Sequence, residues 1–198
     1  MNGDEIGLSR WTVKVVAHHP KWAEYFRQEK EILFQIMGPK LLAIRHTGST
    51  SIPAMPAKPI VDILAAVKTL SDVEPFTEDL VMIGYKDKGN GDVFGRRYFV
   101  KGEEDKRTHH LNFCEMNSLF WTSHLAFRDY LERHPDAAKQ YAALKRALAA
   151  KFPNDRPAYT AGKEEFVRSI LKLAASVLAN SGADTARQYH RYLGTAKW

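Results

Sequence analysis

The segment Ile60-Val61-Asp62-Ile63-Leu64-Ala65-Ala66-Val67 is apolar throughout except for one acid. A short run of this kind, without polar alternation, reads as a strand buried inside a sheet. It therefore requires other strands beside it and other elements above it. An ionised carboxylate in such a strand is costly unless it is paired or hydrogen-bonded. Asp62 thus predicts its own partner, with Lys58, Arg97 or a metal as candidates.

The flanking sequence supplies the rest of an α/β (α+β) unit. Thr12-Val13-Lys14-Val15-Val16 is β-branched and weakly alternating, as a first strand would be. Trp22, Phe26, Leu33, Ile36 and Met37 recur at helical spacing and stop at Gly38-Pro39. Residues 41–45 read as a second strand, and residues 47–59 as a loop rich in Gly, Ser and Pro. Ser71-Asp72-Val73-Glu74 has the spacing of a capping box, which predicts a helix running towards Gly84. Residues 86–92 read as a polar turn, and residues 96–100 and 109–114 as two more strands around a charged turn at 101–107. In the last strand Leu111 and Phe113 should face one way, and His110, Asn112 and Cys114 the other. Phe127, Tyr130 and Leu131 mark one later helix, Tyr141, Leu144 and Leu148 a second, and Phe166, Ile170, Leu173 and Val177 a third. The expected product is a mixed β-sheet flanked by helices with a C-terminal helical portion. Its divisions are an arm at 1–11, an α/β core at 12–116, packed helices at 117–179 and a loosely attached tail at 180–198.

Composition narrows the function classes. At 44% hydrophobic and 26% charged residues, the 198-residue chain is an ordinary globular sequence. The single cysteine, Cys114, allows no internal disulfide and no cysteine-rich zinc site, and it reads as a small buried hydrophobe. With no apolar run of membrane-spanning length and no signal-peptide pattern, the chain is expected to be cytoplasmic with no membrane partner. The net charge of +6 arises wholly after residue 115. Such an excess attracts polyanions, with a nucleotide or coenzyme the expected partner. RNA is not the expected partner, because no basic strand interleaved with aromatics is present.

The candidate chemistry lies in Ile44-Arg45-His46-Thr47-Gly48-Ser49-Thr50-Ser51 and the following Lys58-Pro59-Ile60-Val61-Asp62-Ile63. Glycine lets a ligand approach the backbone, and nearby amides and hydroxyls can meet phosphate oxygens. Gly48, Ser49, Thr50 and Ser51 are accordingly the phosphate-binding candidates. Arg97, Arg128, Lys145 and Lys163, with Arg96, are the supporting cations. Lys58 stands directly before the Asp62 strand and is the catalytic cation of choice. His110 is a candidate catalytic side chain and metal ligand with Asp62 and Glu115, and His46 is an alternative base.

Arg45-His46-Thr47-Gly48-Ser49-Thr50-Ser51-Ile52-Pro53 and Ala57-Lys58-Pro59-Ile60-Val61-Asp62-Ile63 closely resemble the signature of the GrpB family, in the nucleotidyltransferase-like superfamily. The resemblance runs from about Val13 to Leu173. It includes His109-His110-Leu111, Phe127-Arg128-Asp129, Tyr141-Leu144-Lys145 and Asp155-Arg156-Tyr159-Lys163. It implies a nucleotidyltransferase-like fold and a nucleotide-related activity, with Gly48 and Ser49 as phosphate elements and Asp62 as the first metal-binding carboxylate. The pattern places a second carboxylate two residues later, on the same strand face. Here that residue is Leu64. The resemblance therefore implies a divalent metal such as Mg or Mn, with Zn also admitted by imidazole ligation, bound by a reduced ligand set. The expected function is transfer of a nucleotidyl or phosphoryl group to an acceptor. The alternative is an inactive nucleotide-binding or regulatory module.

Overall fold

The computed structural model describes residues 6–103 and 105–179. The expected tail at 180–198 lies outside the described residues. The elements are β1 (Leu8–Ser9), α1 (Lys21–Met37), β2 (Ala43–Thr47), β3 (Val61–Val67), α2 (Thr77–Met82), β4 (Tyr85–Asp87), β5 (Arg97–Gly102), β6 (Lys106–Glu115), α3 (Leu119–Arg133), α4 (Pro135–Lys151), α5 (Arg156–Ala161) and α6 (Glu164–Ala179).

The apolar run 61–67 is the interior strand its composition demands. β3 pairs antiparallel with β2 and parallel with β6 in the order β2-β3-β6-β5-β4, and β1 joins the start of β6. Odd-numbered β3 residues Val61, Ile63, Ala65 and Val67 pack with Leu111 and Phe113 of β6, Phe99 of β5, and Trp22, Leu33 and Met37 of α1. Each large side chain buried in this way contributes about 1.5–3 kcal/mol. Leu64 and Ala66 face the other way, against Ala43, Cys114, Phe120 and Trp121. Among the even-numbered residues, this leaves Asp62 at the open end of the second face. A separate helical core from α3, α4 and α6 takes in Ile52 and Met55 of the β2–β3 loop. The loop is thus held by helices that follow it by more than sixty positions in the sequence.

Several local expectations are corrected. Residues 12–16 form no ladder, only one bridge between Val16 and Ala57. Val13 donates its amide to the Pro153 carbonyl instead, so the segment acts as a tie between the β2–β3 loop and the α4–α5 connection. The capping box is set by Thr69 and Asp72, two residues before the predicted one, and opens a 3-10 turn over Leu70–Phe76. Pro75 lies inside that turn, and the α-helix begins only at Thr77. Tyr85–Asp87, read as the edge of a turn, is a short strand because Tyr85 is buried in the α1-side core.

Candidate functional site

Asp62 lies opposite Thr47 of β2 on one side and opposite His110 of β6 on the other. Directly after Thr47 the chain turns at Gly48, with φ 67° and ψ −173°. This left-handed backbone favours glycine, and a Cβ there would lie 2.3 Å from Asp62 Oδ2. The backbone and the carboxylate are therefore in direct contact. A 3-10 turn over Ser49–Ser51 follows, closed by the amides of Ser51 and Ile52 on the carbonyls of Gly48 and Ser49. The hydroxyls expected to face a phosphate are engaged within the protein. Ser51 Oγ donates to the Gly48 carbonyl at 2.7 Å, Thr50 Oγ1 lies 3.0 Å from His46 Nε2, and Ser49 is hydrogen-bonded with Tyr141 of α4. The space a side chain at Gly48 would fill is taken by the Asp62 carboxylate.

Asp62 Oδ1 lies 2.9 Å from His110 Nδ1, and Arg156 Nη2 lies 3.2 Å from His110 Nε2. A guanidinium can only donate, so Nε2 accepts and the imidazole proton sits on Nδ1, donating to Asp62. His110 is neutral in this arrangement. Burial holds its pKa below the ordinary value, with the Arg156 and Lys58 charges acting in the same direction against Asp62. Burial works to raise the Asp62 carboxyl, but the His110 hydrogen bond and the Lys58 charge bring it below the usual range. The Asp62 side chain retains 35% exposure and stays within reach of a ligand.

Cations surround this carboxylate. Lys58 lies over the Tyr159 ring at 5.1 Å and Lys163 over the same ring at 4.8 Å. Burial drives Lys58 well below its ordinary pKa, with Arg156 and Lys163 adding repulsion. Burial also lowers Lys163 to about 8, against the attraction of Asp62. Lys145, 2% exposed, donates Nζ to the Pro56 carbonyl and pins the loop to α4. Burial and the Lys163 charge lower it to about 7. Arg128 of α3 donates to the His46 carbonyl at 3.0 Å, bracing the end of β2.

Other candidates lie elsewhere. Arg97 is not a partner of Asp62: opposite Phe113 in the ladder, it faces the α1 side and is bonded to Asp87. Arg96 is the neighbour that turns to the Asp62 face, donating to Asn112 at 2.8 Å and stacking on Tyr98 at 4.4 Å. Glu115 is exposed at the end of β6, on the opposite face from His110, so it does not join a ligand set with Asp62. His46 likewise faces the α1 side, stacked on Phe26, and burial lowers it to about 4. Leu64 is fully buried among Phe120, Trp121 and Cys114, which leaves no acid in the second carboxylate position. Cys114 is itself buried, its thiol pushed up to about 12.

Among the described residues, no group of three or more His, Cys, Asp or Glu side chains is placed to hold a metal. Asp62 and His110 are the two candidate metal donors that the fold brings together. Sequence reasoning also left Arg156, Tyr98 and Arg107 outside the candidate set. Only Arg156 carried a signal, as part of the family resemblance.

These elements can be set beside known proteins. The chain spans nearly all of the glutamate-rich protein GrpB of Alkalihalophilus pseudofirmus, at 39% identity over 84% of this chain and 98% of that one. With UPF0157 protein YqkA of Bacillus subtilis it shares 46% identity over 79% of its own length, spanning only about half (46%) of that protein. A dephospho-CoA kinase of Mycolicibacterium paratuberculosis is 27% identical over 84% of this chain and 47% of that protein. The crystal structure of the conserved protein GrpB from Enterococcus faecalis superposes with TM-score 0.76 at 36% identity, over 81% of this chain and 96% of that one. The Cid1 poly(U) polymerase, solved with Mg and 3'-dATP, superposes with TM-score 0.53 at 14% identity, over 80% of this chain and 51% of that one. The last likeness shows a nucleotidyltransferase-like fold and no more than that. Residues 12–173 match the GrpB protein family, and the chain belongs to it.

Proposed function

We propose that this chain binds a nucleotide or coenzyme by its phosphates above Asp62 and transfers a nucleotidyl or phosphoryl group from it. The observation that carries the reading is the imbalance of charge: Lys58, Lys163 and Arg156 crowd one carboxylate, and burial lowers the pKa of each. A phosphate placed beside the two lysines relieves that repulsion and favours their protonated forms. Gly48 makes room for the Asp62 carboxylate, which is oriented by His110 and lies against the turn. Lys58 and its cationic neighbours neutralise developing charge.

A thermal-shift screen of nucleotides and coenzymes, with and without Mg or Mn, tests the reading, because a ligand of the folded state raises its stability. A phosphate-bearing ligand should stabilise the wild type, and product formation followed by phosphorus NMR should disappear in Asp62→Ala. Absence of stabilisation by any phosphate compound refutes the site. Stabilisation without product reduces the chain to a binding module.

A further inference from the structure

Two arginines outside the expected set extend the cationic surface away from Gly48. Arg156 sends Nη2 to His110, while its Nη1 is buried without a hydrogen-bond partner. Buried guanidinium donors are seldom left unpaired, and an absent oxyanion is a direct explanation. Arg107 reaches the same region through a bulge. The ladder runs from Lys101 opposite His109 to Gly102 opposite Arg107, so Thr108 is an extra residue on β6. A bulge re-aims the side chains beside it. Arg107, which strict alternation would send to the α1 face, instead acts on Lys58, Tyr98 and Arg156. Tyr98 stands edge-on to the His110 ring at 5.7 Å, and burial keeps its phenol protonated as a donor.

The strand order separates this pair from the phosphate turn. Gly48 follows β2, Asp62 is on β3 and His110 on β6, so the turn and β6 stand two strand spacings apart, roughly 10 Å. Asp62 and His110 lie between them. We infer that Arg156 and Arg107 form a second oxyanion subsite that holds a phosphomonoester acceptor, whose own phosphate oxygen is the nucleophile. The inference rests on the transfer reading above. It is favoured over an alcohol acceptor because Arg156 Nη1 is a buried donor suited to an oxyanion, and the His110 Nε2 lone pair, occupied by Arg156, is not free to take a proton. An anionic phosphate oxygen needs no base. Its electron pair forms the new P–O bond at the donor phosphorus as the bond to the leaving phosphate group breaks. The leaving group departs with that bond's pair, and the product is a diphosphate linkage with no change of oxidation state.

Arginine side-chain NMR on the full chain tests this with inorganic phosphate and ATP as probes. Phosphate should shift the Nε–Hε signals of Arg156 and Arg107. ATP alone should shift the amides of residues 48–50 and leave Arg107 in place. Arg107→Gln should weaken phosphate binding about tenfold and ATP binding less than twofold, while Arg107→Lys keeps most of the phosphate affinity. Both variants are checked for folding by circular dichroism. Arginine signals unmoved by phosphate, while ATP moves the loop amides, overturn the subsite and leave the donor site standing. ATP alone moving both sets overturns the acceptor assignment, since one ligand then spans both. Phosphate moving the arginines while ATP leaves the loop silent supports the subsite and counts against the donor site.

Discussion

Gly48 and Asp62 are packed so closely that the glycine's missing side chain is what makes room for the carboxylate. Gly48→Ala should therefore cost about 1–3 kcal/mol in backbone strain alone, and more from displacement of Asp62. Urea unfolding together with phosphate titration checks this. Wild-type stability and affinity in the variant would show that the contact is dispensable.

The position two residues along gives the opposite kind of expectation. Leu64 is sealed beneath Phe120 and Trp121, so Leu64→Asp buries a carboxylate among apolar side chains. It should lose about 3 kcal/mol or more without gaining metal affinity. Thermal melts and calorimetric Mn titration of both proteins measure this. A tighter Mn site in the variant would contradict the account of that face as plain core.

Acid should weaken the fold in a defined window. Burial lowers His46, His109 and His124 from 6.5 to about 4 each. Between those values the unfolded chain takes up protons that the folded chain refuses, so stability falls as pH drops from 6.5 to 4 and this contribution levels off below. Urea midpoints at about pH 7.5, 6 and 5 should decline in that order. His109→Gln should flatten the decline, since His109 Nε2 is buried without a partner.

Lys145 makes the alkaline counterpart. With its pKa lowered from 10.5 to about 7, the folded chain gives up a proton that the unfolded chain keeps. Its contribution to stability therefore rises with pH between those values. Lys145→Met removes this dependence and should not reduce the melting temperature at neutral pH. It should nevertheless weaken phosphate binding severalfold, because the Pro56 carbonyl loses its anchor. A lower melting temperature with unchanged binding would reverse these roles.

Periodicity was enough to read α1 from Trp22 to Met37, and the alternation of Leu111 and Phe113 against His110, Asn112 and Cys114 is the one observed. Local pattern failed where a distant contact decides the outcome. Tyr85 is a strand residue because the α1-side core receives it, and residues 12–16 lack a partner strand. The choice between Arg96 and Arg97 depended on ladder register, since Arg97 opposite Phe113 must share its face. Arg107 was hidden more deeply, because the bulge at Thr108 reverses the alternation from which its direction would be read. Arg156 meets His110 across 46 positions, a separation that no spacing rule spans.

The grip of the helical core on Ile52 and Met55 also sets an order of assembly. Among the described residues the strands end at Glu115, whereas Leu131, Tyr141 and Ile170, which hold the loop, are made later. Pairing of the sheet can therefore precede the loop's final shape during synthesis, when chains emerge N-terminus first. A nascent chain stalled before α6 would carry Asp62 and His110 in their strands without a finished turn above them. The final shape of the turn above Asp62 is thus tied to arrival of the C-terminal helices.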